Sequence, residues 1–452
     1  MTGGHALLRI EQALLAANEI PKVRIGGRIK EVTPSHYRVC GLSGHLMLGE
    51  QVSLERDDGG SVIGEVVRLD ETGATVKPYD KITDAGLGEI AWRLNRLTIS
   101  PGPAWKGRLV NALGDPVDGR GPIASGTRTI TTDNLPPQAT KRRIAKTALA
   151  TTIRAIDLFT PICAGQRIGV FAGSGIGKTT LLSMFARAQG FDTVVVALVG
   201  ERGREVREFA EVTLKDSLSR AVIVVATSDE SAMLRRQAPQ TAMAIAEYFR
   251  DQGESVLLIV DSVTRYAHAC REIALAAGEP PVARGYAPSV FGDIPRLLER
   301  AGPGEDGSGA ITGIFSVLVD GDDHNEPIAD TVRGILDGHI VLDRTIAEQG
   351  RYPAVNVLTS VSRLAHHAWS AEQRGLVMKL RALIARFEDT RDLRLLGGYQ
   401  PGADAELDQA VQLVPIIYEA MKQGPDTPYG PSAFRDLADA LAAQAVATPQ
   451  SG

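Results

Sequence analysis

Residues 171–182 read FAGSGIGKTTLL, and their types and spacing suit the binding of a triphosphate. Ala172, Gly173, Ser174, Gly175, Ile176, Gly177, Lys178 and Thr179 follow the eight-residue pattern of a phosphate loop, with Ala at the first position where Gly is usual. The three glycines let the backbone curl so that successive N–H groups point at phosphate oxygens. Lys178 brings a positive charge near the β- and γ-phosphates, and the Thr179 hydroxyl can ligate Mg²⁺. An apolar run precedes the loop and a helical pattern over Thr180–Arg187 follows it, so Thr180 opens a helix whose dipole also favours anions. A flexible glycine loop with a chance Lys-Thr would not need that strand–loop–helix context.

Two carboxylates extend the chemistry. The run SVLLIVD (Ser255–Asp261) is an apolar strand ending in an acid, about 80 residues beyond the loop. That places Asp261 at the carboxyl edge of a sheet, where it can hold Mg²⁺ through water. The segment VGERGRE (Val199–Glu205) follows another apolar run. Glu201 there can polarise the water that attacks a γ-phosphorus, or it can belong to a solvated charge cluster at a helix start.

Such groups need a scaffold, and 452 residues are too many for one ordinary core. Apolar runs of strand length at Thr193–Leu198, Ala221–Thr227, Val256–Val260, Ile311–Val319 and His339–Leu342 alternate with helical patterns. They predict a mainly parallel sheet buried on both faces, within an α/β domain over residues 98–365. Before it, short alternating segments (Val23–Val32, Gln51–Leu54, Ser61–Leu69, Ala74–Pro78) predict a small β-barrel over 21–97. Helical periodicity in Gly375–Phe387 and Asp408–Met421 predicts an α-helical domain over 366–445, ahead of a flexible tail at 446–452. Leu7, Leu8, Ile10, Leu14 and Leu15 lie at helical spacing within residues 1–20. An amphipathic helix there would either bind a partner or pack on its own barrel.

Composition removes several classes. Net charge is −5, and residues 21–97 carry eleven basic and eleven acidic side chains, which argues against a nucleic-acid platform and for an assembly collar. The three cysteines are widely spaced and lack metal-ligand spacing. The longest apolar runs are far short of a membrane span, and the first residues lack a signal peptide's basic start and apolar core. The expectation is a cytoplasmic protein, peripheral to the inner face of the membrane at most.

AGSGIGKTTLL, GERGREV, LIVDSVTRYA and PAVNVLTSVSR (Pro353–Arg363), with GRLVNALGDPVDGRGP (Gly107–Pro122), together resemble the rotary ATPase catalytic family, the α and β subunits of ATP synthase and their relatives. The resemblance spans about residues 21–440. Within that family the chain is most similar to type III secretion export ATPases, particularly the flagellum-specific branch. The segments that carry this are GERGREVREF, ATSDESAMLRRQAP, REIALAAGEPPVARGYAPSVF, VLVDGDDHNEPIAD and GGYQPGADAELDQAV.

The resemblance implies a multidomain chain with a central RecA-like P-loop domain that binds ATP and Mg²⁺. Lys178 and Thr179 would bind phosphate and metal, and Asp261 and Glu205 would act on the metal through water. Glu201 would orient or deprotonate the attacking water, with Arg202 and Arg265 as outer partners. Tyr352 matches the residue that packs on adenine, though a core or interface tyrosine is its other reading. Arg363 matches the arginine that a neighbouring subunit inserts into the site. One chain holding both kinds of residue can build every site between identical copies, six in this family. The implied partners are a stator-like regulator at the N-terminal helix, a central stalk, the export gate, and export substrates with their chaperones. The implied function is Mg-dependent ATP hydrolysis assisting flagellar protein export. The alternatives are the ATPase of a virulence injectisome, a proton-coupled ATP synthase subunit, or an RNA translocase resembling the transcription terminator.

Overall fold

The computed structural model describes residues 23–56, 60–81, 83–319 and 326–447. The predicted N-terminal helix within 1–20 and the end of the tail, 448–452, lie outside the described residues. The chain divides into two compact units, one comprising the residues through Leu97 with Ala276–Gly278, the other Thr98–Leu275 with the residues from Glu279 onward.

The first unit is a closed six-stranded barrel in the order β1-β2-β5-β4-β3-β6. Its strands are β1 (Gly26–Val32), β2 (Tyr37–Cys40), β3 (Gln51–Glu55), β4 (Ser61–Asp70), β5 (Gly73–Pro78) and β6 (Ile90–Arg93). Alternate residues such as Ile29, Val39, Val52, Leu54, Val66, Val76 and Ala91 fill the interior. β2 and β6 were not expected from sequence. Each has four residues, YRVC and IAWR, too few and too mixed for a period to register. β1 also begins at Gly26 rather than Val23. Arginines on the barrel are matched by acids: Arg38 by Asp70, Arg93 by Glu50, Arg24 by Glu55 and Arg56 by Asp84.

The second unit is built on a nine-stranded sheet, with eight strands along one path in the order β14-β13-β8-β12-β11-β9-β10-β7. These are β7 (Arg108–Asn111), β8 (Arg167–Ala172), β9 (Thr193–Glu201), β10 (Ala221–Thr227), β11 (Ser255–Asp261), β12 (Ala310–Leu318), β13 (Gly338–Val341) and β14 (Val361–Ser362). Neighbours on the path from β13 to β7 run parallel, and β14 joins antiparallel. Because side chains alternate, Val195, Ala197 and Val199 enter one core while Val194, Val196 and Leu198 enter the other. Burial on both faces explains why these strands read as unbroken apolar runs.

Helices α1 (Lys178–Arg187), α2 (Gly203–Glu208), α3 (Ala232–Asp251), α4 (Val263–Ala276), α5 (Pro288–Leu298) and α6 (Pro327–Ile335) connect the strands. Three further helices follow near the C-terminus: α7 (Ala371–Asp389), α8 (Ala405–Met421) and α9 (Ala433–Ala447). α7 starts with a reciprocal cap between Ser370 and Gln373, and the Asp404 carboxylate caps α8. Val377, Leu380 and Ile384 of α7, with Ala410, Val414 and Ile417 of α8, join the same apolar cluster as Leu181 and Leu182 of α1. Each such Val, Leu or Ile side chain contributes roughly 1.5–3 kcal/mol by leaving water. α9 reaches Ala447, two residues into the segment read as tail.

Candidate active site

The phosphate loop leaves β8 at Ala172 and turns through Gly173–Gly177. Ile176, buried, pins the loop to the core beneath it, and Ser174 and Gly175 face outward. Gly177 has φ +92° and caps α1 without a side-chain hydrogen bond. α1 therefore begins at Lys178, two residues before the expected Thr180, because a left-handed glycine can turn the chain directly into the helix. The first N–H groups of a helix have no acceptor within it, so the amides around Lys178, Thr179 and Thr180 suit an anion. Thr179 and Thr180 are exposed.

β11 lies two places from β8, separated by β12, and delivers Asp261 to the same edge. Asp261 is 3% exposed; it accepts a hydrogen bond from Ser316 Oγ of the intervening strand at 2.6 Å and a close ion pair from Lys178. Ser316 was not anticipated. Its only signal is a hydroxyl inside the buried run GIFSVL, and nothing local tells it from a satisfied core serine.

Glu201 ends β9, next to β11 in the sheet. Where β9 pairs with β10 the register shifts between Val199 and Glu201, with Gly200 at φ +67°. A Cβ at Gly200 would stand 2.9 Å from Arg265 Cδ, so glycine is required both for the turn and for the close passage of Arg265. The bulge brings the Glu201 carboxylate, in a residue 8% exposed, to 3.0 Å from Arg265 Nη1 and 3.9 Å from Lys178 Nζ. Arg265 also donates to the Gly200 carbonyl. Burial, a hydrogen bond with Glu205 and the charge of Asp261 push the Glu201 carboxyl up to about 7, against the opposing pull of Lys178 and Arg265.

Arg202 is not drawn into this cluster. Its side chain is 77% exposed and lies 3.9 Å from Glu205. Tyr352, 43% exposed, lies against the loop: its ring carbons are 3.4 Å from where a Cβ on Gly177 would be. Ala155, Pro353, Val355, Tyr418 and Met421 line a small pocket together with it. A further unanticipated contact comes from Arg344, which donates to the Ser174 carbonyl of the loop at 3.3 Å.

Arg363 stands apart from all of these. It follows β14, the antiparallel edge strand, and its N–H donates to the Asp337 carbonyl, while the Asp337 N–H donates to the Arg167 carbonyl, each at 2.9 Å. Arg363 is thus level with the first residue of β8. The phosphate loop departs after Ala172, five residues and roughly 16 Å further along the strand direction at about 3.3 Å per residue. Arg363 is exposed, and its guanidinium donates to the Arg333 carbonyl at 3.4 Å.

Residues 152–362 match the nucleotide-binding domain of the ATP synthase alpha/beta family, and residues 369–442 match the type III secretion EscN ATPase C-terminal domain. The flagellum-specific ATP synthase of Agrobacterium fabrum is 58% identical over 417 residues, covering 92% of this chain and 88% of its own length. The chain belongs to the flagellum-specific ATP synthase family. It is an ATPase with an N-terminal barrel, a RecA-like nucleotide-binding domain and a C-terminal helical region. The assembled ATPase EscN of the enteropathogenic E. coli type III secretion system superposes with a TM-score of 0.85 at 36% identity, covering 92% of this chain and 99% of that one. EscN in complex with its central stalk EscO gives 0.83 at the same identity and coverage. Among the described residues no helix of this ATPase is long and apolar enough to cross a membrane.

Proposed function

We propose that this ATPase hydrolyses Mg-ATP at sites shared between identical copies in a ring, and that the turnover assists type III protein export for flagellum assembly. The observation that carries the reading is the separation of Arg363 from the Lys178, Glu201 and Asp261 cluster. Arg363 lies at the amino-terminal edge of its own sheet, whereas the cluster lies at the carboxyl edge. A neighbour placed head to tail brings Arg363 to a loop its own chain cannot offer.

The donor set fits a hydrated Mg²⁺. Thr179 presents an exposed hydroxyl, Asp261 a carboxylate at the end of β11, and among the described residues no three His, Cys, Asp or Glu converge on an all-protein cage. Mg²⁺ keeps waters and phosphate oxygens as ligands in such sites. With Thr179 as direct ligand and Asp261 and Glu205 acting through water, the ion would neutralise charge on the phosphates. Lys178 places its ammonium against the β- and γ-phosphates, and Tyr352 offers its ring to the adenine. Glu201 takes the proton of the attacking water: held near neutrality, it is ionised in part of the population and basic enough to accept it. Arg265 fixes the Glu201 carboxylate in direction. Arg363 of the next copy neutralises charge growing on the transferring phosphoryl group, a role worth about 10³–10⁵ in rate where it has been removed.

The similarity to the assembled EscN, and to EscN bound to its stalk, supports a ring, six-membered in this family, with a central stalk protein as partner. The higher identity to the flagellar relative supports flagellar export over an injectisome. The reading includes an export gate, substrates and chaperones as further partners, a regulator at the N-terminal segment, and action in the cytoplasm at the inner membrane face.

The test mixes Lys178→Ala with Arg363→Ala. Each alone should be inactive. A one-to-one mixture should regain activity approaching roughly a quarter of wild type, because one neighbour pair in four unites an intact loop with an intact arginine. No recovery at any ratio would sink the shared site. Complementation of a deletion strain, scored for swimming, tests the export role.

A further inference from the structure

Arg381, in the middle of α7, carries its guanidinium out of the helical region into the ATPase domain. It is partly buried, and no carboxylate among the described residues pairs with it. Its Nη2 donates to two carbonyls, Phe159 at 2.7 Å and Ser360 at 3.1 Å. Its Nε is buried without a partner. Burial pushes the guanidinium below its ordinary value. A cation so placed is costly to desolvate, so a purely packing role would be better served by an apolar side chain.

The two acceptors belong to the frame that presents Arg363. Ser360 begins the run Ser360-Val361-Ser362-Arg363, and its hydroxyl accepts from the Val341 N–H of β13 and donates to the Asn356 carbonyl. Ser362 Oγ donates to the Pro161 carbonyl, two residues past Phe159, and accepts from Gln166. The edge strand is therefore tied to β13 on one side and to the Phe159–Pro161 turn on the other. Arg381 bridges both ties from the C-terminal helical region.

We propose that Arg381 is a positioning residue for Arg363, linking the placement of the C-terminal helices to the aim of the arginine that completes the neighbour's site. The proposal rests on the shared-site reading above. Loss of the bridge frees the Ser360 carbonyl and the strand that follows it, while Lys178, Glu201, Asp261 and Tyr352 lie at the other edge of the sheet and keep their contacts. A chain lacking Arg381 is a poor donor of Arg363 and a sound acceptor of it.

Arg381→Met should lower kcat by about 10–100-fold, the scale of an ångström-level misplacement. KM for ATP should stay within about twofold, with Arg381→Lys restoring part of kcat through a single hydrogen bond. Mixing separates the roles. An excess of Lys178→Ala, which supplies sound Arg363 donors, should raise turnover per Arg381→Met chain. Arg363→Ala, which needs a donor, should gain far less from Arg381→Met than from Lys178→Ala. Unchanged kcat in Arg381→Met overturns the proposal, as does a raised KM with no rescue by Lys178→Ala, which would mark a general loss of fold. If the Lys178→Ala and Arg363→Ala control itself fails to recover, the shared site falls and takes the proposal with it. If that control recovers while Arg381→Met is fully active, only the proposal falls.

Discussion

Glu201 and Asp261 are both buried carboxylates at strand ends near Lys178, yet their surroundings assign them different work. Asp261 is held by the Lys178 ammonium and the Ser316 hydroxyl. Glu201 is desolvated and shares a hydrogen bond with Glu205, and it sits at about 7. For a base, turnover must rise with pH through that value. Glu201→Gln should reduce kcat by about 10²–10⁴ and abolish that rise. It should also affect stability with a definite sign. A carboxyl raised in the folded state stabilises the fold below its unfolded value and loses that contribution as pH climbs through about 7. Glu201→Gln should therefore melt above wild type at pH 8, and the advantage should vanish near pH 4. A melting curve indifferent to the substitution at both pH values would remove the buried-base assignment. Much of this chemistry was legible in the motif FAGSGIGKTTLL and in the strand that ends at Asp261. The aim of Glu201 was not, because it depends on how β9 pairs with β10.

At the scale of elements, that pairing is the point of control. Gly200 makes the bulge, and Glu201 inherits its direction from it. Gly200→Ala would force a side chain into a left-handed backbone and against Arg265. The expected cost is about 1–3 kcal/mol of stability, with a fall in kcat larger than any change in nucleotide affinity. Thermal melting together with nucleotide titration checks both. If affinity falls as much as kcat, the bulge serves the loop and not Glu201. The long central strands could be read from sequence because burial on both faces leaves them no polar alternation to obscure. β2 and β6 could not, since four mixed residues are defined only by the barrel that closes around them. The early start of α1 escaped for a similar reason: a glycine's left-handed turn leaves no mark beyond the glycine itself.

At the scale of the whole molecule, the register of β14 on β13 sets Arg363 apart from the Lys178, Glu201 and Asp261 cluster of its own chain. Sequence resemblance pointed to Arg363 as a donor to a neighbour. Spacing alone could not, because Lys178 and Arg363 are 185 positions apart and only the strand pairing sets them at opposite edges. The feature with the widest consequence is the shared apolar cluster beneath the phosphate-loop helix. Leu181 and Leu182 pack in the same core as Val377, Leu380 and Ile384, so the helical region has no separate interior to hold it together. Calorimetry should find the ATPase domain and the helical region melting in a single cooperative transition. A nucleotide that tightens the phosphate loop should raise that transition for both at once, by an amount set by its concentration over its dissociation constant. Two resolved transitions, with only one moved by nucleotide, would show the helices to be thermally independent. Under the single-transition outcome, the helical end of this ATPase has no melting temperature of its own.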